Sequence, residues 1–280
     1  MTRAGIFITA AELKRLLDGG GPVAVLDVRW QLNEPDGHDA YRRGHVPGAV
    51  YVSLDDELTD HSVTGRGRHP LPTGSSVQAA ARLWGVRDGV PTVVYDDWNR
   101  AGSARAWWVL TAAGISDVRI LDGGLAAWTA AGGRLEAGEV TPEPGDVVVT
   151  HEDLYHGALP TLTAEEVAGY GGLLLDARAP RRFSGEDEPV DPVAGHIAGA
   201  RNAPSTDVLT ADGTLRPADD LTRFFDDRGV AGDVGVYCGS GVTASVVVAV
   251  LRDKGIDAAL YPGSWSEWCS DPSRPVATGS

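Results

Sequence analysis

The chain has 280 residues, 42% hydrophobic and 22% charged, enough for one or two domains with proper cores. Its formal net charge of −15 repels nucleic acid and anionic membrane surfaces, so neither is an expected partner, while a locally positive pocket stays compatible with an anionic substrate. No apolar run reaches transmembrane length, "MTRAGIFITAAEL" turns polar too soon for a signal peptide, and two cysteines make no disulfide framework; the expected setting is cytoplasmic, with Cys238 a free thiol.

In chain order, a helix-start signal at Thr9-x-x-Glu12 is followed by a buried-looking strand, "VAVLDVRW" at 23–30, ending in Asp-x-Arg. Then come "GHVPGAVYVSLDDELT" from Gly44, "VVYDDWNRAGSARAWW" around Asp96, and "LDGGLAAW" ending at Trp128. A segment rich in Pro, Gly and acids, "RLEAGEVTPEPGDVVVTHEDLYHGALP", reads as a linker crossing the outside of the protein. Beyond it the series repeats: Thr163-x-x-Glu166, "LLLDARAP" at 173–180, "GHIAGARNAPSTDVLT" from Gly195, "GVYCGSGVTASVVV" around Cys238, and "YPGSWSEW" ending at Trp268. Matches in the same order at a nearly constant offset mark a tandem duplication, and a period this long means two domains and not a solenoid. The expected boundaries are 1–135, a linker over 136–156, and 157–280.

Within the second half, strands are predicted near 173–177, 234–237 and 257–261, with helices near 218–228 and 242–254. Such alternation predicts an α/β fold, each domain a parallel sheet flanked by helices.

Cys238 directly follows the strand "VGVY" and precedes the helix beginning near Val242 or Thr243. In open α/β sheets ligands bind at the C-terminal ends of the strands. The helix start offers unpaired N–H groups and the positive end of its dipole, and Gly239 and Gly241 let the backbone curl so that those groups converge. An anion, such as a thiolate, is what that cradle stabilises. A buried inert cysteine is the ordinary alternative, but strand end, glycines and helix start together favour a nucleophile. Cys269, in "SEWCSD", has none of these features and is expected to be a spectator packed near the C-terminus.

"CGSGVTAS", the duplicated "GHIPGA"-like turns, "DARAPRRFSG" and the Asp96 substitution in the first copy resemble two-domain rhodanese sulfurtransferases over nearly the whole chain. The resemblance implies that Cys238 takes a sulfane sulfur from a donor, becomes a persulfide, and passes the sulfur to cyanide or a thiol. A thioredoxin-like reductant is among the acceptors it suggests. With Asp96 in the first copy, only Cys238 can do this chemistry.

The uncharged loop resembles that of family members using 3-mercaptopyruvate, whereas thiosulfate-preferring members carry basic residues there. It implies that Ser240 works with His69 of "RHPLP" and Asp55 of "VSLDDE", both from the first domain. From their residues alone, His69 reads as a turn histidine and Asp55 as a solvated acid. Arg182 matches the family arginine that meets the donor's anionic end, where a planar fork pairs a carboxylate at two points; Gly239, Gly241, Val242 and Thr243 complete the expected binding loop. Val190 stands where such enzymes often carry a second arginine, which predicts weak donor binding.

A cysteine phosphatase or arsenate reductase of related fold needs an arginine closing the loop, and Gly239 through Ser245 contain none. A non-turnover sulfur carrier or docking protein is the alternative outside enzymology, and thiosulfate:cyanide sulfurtransferase the alternative within it. The histidines and cysteines show no paired ligand spacing, so no metal and no cofactor are expected.

Overall fold

The computed structural model describes residues 5–279. The first half runs β1 (Phe7–Ile8), α1 (Ala10–Asp18), β2 (Ala24–Asp27), α2 (His38–Arg43), β3 (Val50–Tyr51), α3 (Leu54–Glu57), α4 (Gly74–Leu83), β4 (Thr92–Tyr95), α5 (Ala101–Ala112), β5 (Val118–Leu121) and α6 (Gly124–Ala130). Its strands form one parallel sheet in the order β1-β5-β4-β2-β3.

The second half repeats the plan with α7 (Ala164–Ala168), β6 (Leu173–Asp176), α8 (Pro180–Ser184), β7 (His196–Ile197), β8 (Arg201–Asn202), α9 (Ala218–Asp226), β9 (Val234–Tyr237), α10 (Ala244–Asp253), β10 (Ala258–Leu260), α11 (Ser264–Trp268) and β11 (Val276–Ala277). Its main sheet, β10-β9-β6-β8, is again parallel, while β11 and β7 form a small antiparallel pair. The fold is α/β, with helices flanking two parallel sheets, as expected.

Local chemistry explains why the halves look alike. Thr9 and Thr163 each cap a helix whose Glu12 or Glu166 returns a bond to the cap backbone. The buried Asp27–Arg29 and Asp176–Arg178 pairs each reach a carbonyl at the following Gly-His turn, Gly44 at 3.0 Å and Gly195 at 2.7 Å. His45 and His196 hold the backbone carbonyls of Tyr41 and Phe183, so the repeated histidines are architectural.

Helices α5 and α10 are apolar almost all round, and such helices must be buried. They pack against each other, and one continuous core joins residues such as Trp108 and Leu110 to Val246 and Val250. The segment predicted as a linker does run outside, but it is pinned to the first domain. Glu136 and His45 exchange backbone bonds of 2.9 Å each way, Gly145 donates to Arg82, and Val147 is buried. The packing of α5 against α10 brings first-domain loops to the C-terminal end of β9, where the Arg68 N–H meets Ser266 and His69 meets Ser240.

Candidate active site

Cys238 is 2% exposed at the end of β9. Its backbone is clamped by the start of α11: the Ser264 hydroxyl accepts from the Cys238 N–H at 3.1 Å, and Trp265 N–H donates to the Cys238 carbonyl at 3.0 Å. Gly241 has φ of +77°, and a Cβ there would come within 2.5 Å of the Pro262 carbonyl oxygen, so only glycine suits this turn. Among the described residues, the N–H groups of Gly239, Ser240, Gly241, Val242 and Thr243 donate to no protein oxygen. Regular α-helix begins at Ala244, so the expected open cradle lies at its mouth.

The sister loop shows what such a cradle holds. Asp96 is 2% exposed, and its carboxylate accepts the N–H groups of Trp98, Arg100 and Ser103 at 3.1–3.2 Å and the Ser103 hydroxyl at 2.7 Å. The Arg100 guanidinium closes the ring at 2.9 Å, on a residue in the left-handed backbone region. Where the second domain has a thiol, the first carries a carboxylate held by its own loop.

The structure brings Ser240, His69 and Asp55 together across the domain boundary. His69 Nδ1 lies 2.8 Å from Ser240 Oγ, and Nε2 lies 3.3 Å from Asp55 Oδ1. The second contact is an ion-pair approach whose N–H is not squarely aligned, since Asp55 Oδ1 makes no well-formed hydrogen bond. Asp55 favours the proton on Nε2, which leaves Nδ1 to accept from the Ser240 hydroxyl. Burial, opposed by Asp55 and aided by the cations Arg105 and Arg68, holds the His69 imidazole below its usual range. His69 in turn holds the Asp55 carboxyl low.

Arg105 explains how a turn histidine is kept in place. This wholly buried guanidinium, pulled down to about 10 by burial, donates through Nη2 to the carbonyls of Leu58 and His69 at 3.0 Å. It therefore ties the segment carrying His69 to the first domain.

Arg182 reaches the site but is not idle there. It pairs with Glu188 at 2.6 Å and Asp191 at 3.2 Å. Burial works against charge on Glu188, but Arg182 and the N–H groups of Asp191 and Val190 outweigh it and hold the carboxyl low. Val190 is 37% exposed, and its side chain contributes no charge.

Sequence reasoning missed Arg68. Its Nη1 donates to Asp191 Oδ1 at 2.7 Å, and its backbone N–H donates to the Ser266 hydroxyl at 3.0 Å. Val190 brings no charge, but a second guanidinium reaches the loop from the first domain, Arg68 Nη2 lying 3.3 Å from where a Cβ on Gly239 would sit. The signal was present in "GRGRHPLP", where Arg68 directly precedes His69, but a basic turn gives no hint of its distant partner. Cys269 is buried at the end of α11, with its thiol pushed up by burial.

Comparison with known proteins gives this geometry a family. Residues 9–131 and 160–271 each match the rhodanese-like domain. The chain is 61% identical over 280 residues to a Mycobacterium tuberculosis protein provisionally named thiosulfate sulfurtransferase SseB, covering 99% of both. It is 37% identical over 243 residues to 3-mercaptopyruvate sulfurtransferase of Escherichia coli, covering 84% of each. Among solved structures, the crystal structure of SseA from Escherichia coli, described among 3-mercaptopyruvate sulfotransferases, superposes with a TM-score of 0.81 at 31% identity. That match covers 94% of this chain and 100% of the other.

Proposed function

Because the chain belongs to the rhodanese-like family and is a sulfurtransferase, we propose that it moves sulfur from 3-mercaptopyruvate through a persulfide on Cys238. The observation that carries this reading is the Ser240–His69–Asp55 chain beside the cysteine loop. A thiol donor needs its proton managed, and a sulfur dianion does not.

The Cys238 thiolate attacks the donor's sulfur, forming an S–S bond while the C–S bond breaks. The electron pair stays on the departing carbon, and the proton lost by the donor thiol returns there, giving pyruvate and an enzyme persulfide. Ser240 and His69 relay that proton, and Asp55 orients the imidazole. The free N–H groups of Gly239, Gly241, Val242 and Thr243 steady the negative sulfur, as the sister loop steadies Asp96. Arg182 meets the donor's carboxylate. Cyanide or a thiol then attacks the outer sulfur and leaves Cys238 as thiolate; a thioredoxin-like dithiol is a suitable acceptor.

We place this chemistry in the catalytic second domain, 157–280, with 1–135 supplying the relay and 136–156 the connection. The two free cysteines favour a cytoplasmic setting. No described helix is long and apolar enough to cross a membrane.

Thiosulfate is the second donor, favoured by the second guanidinium at the loop and by the name of the Mycobacterium tuberculosis relative. There the same thiolate attack releases sulfite and no proton moves. Steady-state kinetics with both donors, side by side, test the reading. A larger kcat/KM for 3-mercaptopyruvate supports it, and a larger value for thiosulfate replaces it with the second donor.

A further inference from the structure

We propose that Arg68, from the first domain, is a donor-binding residue that pairs with Arg182 to form a two-guanidinium seat for the donor's anionic end, with Asp191 bracing the pair from the side away from the donor. The proposal rests on the sulfur-transfer reading above and extends it to what sets donor preference.

Four observations converge. First, both guanidinium groups face the residue after the nucleophile. A Cβ on Gly239 would lie 3.3 Å from Arg68 Nη2 and 3.5 Å from Arg182 Nη1. Second, these ends are unspent. Among the described residues Arg68 Nη2 and Arg182 Nη1 donate to no protein oxygen, and Arg68 Nε is buried without a partner. Third, the other ends converge on one carboxylate, Arg68 at 2.7 Å from Asp191 Oδ1 and Arg182 at 3.2 Å from Asp191 Oδ2. That carboxylate is buried, with 3% of its side chain exposed. Fourth, the loop carrying Arg68 is fixed against the second domain. Gly67, at φ of +82°, passes so close to Gly263 that a Cβ would meet its carbonyl at 2.4 Å, and the Arg68 N–H is held by Ser266.

Two cations aimed at one place are costly unless an anion sits between them. Asp191 meets that need from one side; a donor carboxylate or sulfonate meets it from the other. Arg182 already spends two donor groups on Glu188, so Arg68 holds the larger share of free N–H groups. A dianion depends on both cations more than a monoanion does, so Arg68 widens the donor range of an uncharged loop toward thiosulfate.

The test compares the full-length wild type with Arg68→Gln, Arg68→Lys and Asp191→Asn, reading KM and kcat for thiosulfate and for 3-mercaptopyruvate. Thermal unfolding is followed in parallel. Arg68→Gln should raise KM for thiosulfate by about tenfold or more, the scale of a lost charge-assisted hydrogen bond. The rise for 3-mercaptopyruvate should be smaller, and kcat should change less than KM. Arg68→Lys should recover part of the loss. Asp191→Asn removes the carboxylate that partly neutralises both guanidiniums, leaves the seat more positive, and should lower KM.

An unchanged KM in folded Arg68→Gln overturns the proposal. So does an Asp191→Asn variant whose KM rises as in Arg68→Gln, because the trio is then only a bridge between domains. If Arg68→Gln does not fold, the KM shifts of Arg68→Lys and Asp191→Asn decide alone. A wild type that transfers sulfur from neither donor overturns the sulfur-transfer reading itself, and is distinguished from the other failures by that control.

Discussion

His69 Nδ1 stands 2.8 Å from Ser240 Oγ across 171 residues of chain, so the Cys238 loop is completed by the domain that carries Asp96 in the corresponding place. Ser240→Ala breaks that contact without altering charge. It should lower kcat/KM for 3-mercaptopyruvate by roughly a hundredfold, the usual contribution of positioned proton transfer, and lower the thiosulfate value far less. Equal losses for both donors would make Ser240 a structural part of the loop and not a proton relay.

The protonation of His69 gives the reaction a pH signature. Burial keeps its folded-state affinity for protons below the ordinary imidazole value of about 6.5. The relay-competent neutral form therefore persists at neutral pH, and kcat/KM for 3-mercaptopyruvate should fall only on an acid limb below that value. The same depression stabilises the fold fully above about pH 6.5, and that share is lost as pH falls through the folded-state value. Asp55 works against the depression, so Asp55→Asn should move the acid limb to still lower pH while reducing the plateau. A limb moving to higher pH would contradict the assigned pairing.

Asp96 should matter for stability alone. Replacing it with Ala strands the Arg100 guanidinium, itself 2% exposed, and three backbone N–H groups. Removing one partner of a buried pair costs about 3–5 kcal/mol. Chemical denaturation of Asp96→Ala should show a loss of that size; a loss under about 1 kcal/mol, the scale of an exposed ion pair, would mean the cradle does not need its anion.

The core shared by α5 and α10 predicts that the halves unfold together. Far-ultraviolet circular dichroism and tryptophan fluorescence should report one coincident transition. Two separated transitions would show that the halves are independently stable.

How much of this was legible in the sequence depended on range. Asp-x-Arg after a β-rich run, the capping threonines and the repeated Gly-His turns act over a few residues, so the duplicated α/β plan could be read directly. The place of Cys238 at the end of β9 was legible for the same reason, since strand, glycines and helix start are contiguous. His69 and Asp55 were not: their residues alone read as a turn histidine and a solvated acid, and only resemblance singled them out. Their surroundings come from α5 through Arg105 and from the second domain through Ser240. Arg68 escaped even the resemblance, because its meaning lies in Asp191 and Gly239 on the opposite domain. Glu188 and Asp191, beside Val190, are likewise buried against arginines brought from elsewhere in the fold.

The most direct test of the central claim is to mix the wild type and the Cys238→Ser and Cys269→Ser variants with 3-mercaptopyruvate without acceptor, then locate the transferred sulfur by peptide mass spectrometry. One added sulfur atom on the peptide containing Cys238, in the wild type and in Cys269→Ser but not in Cys238→Ser, is the predicted result. Sulfur found on Cys269, or sulfur transfer surviving in Cys238→Ser, would contradict it.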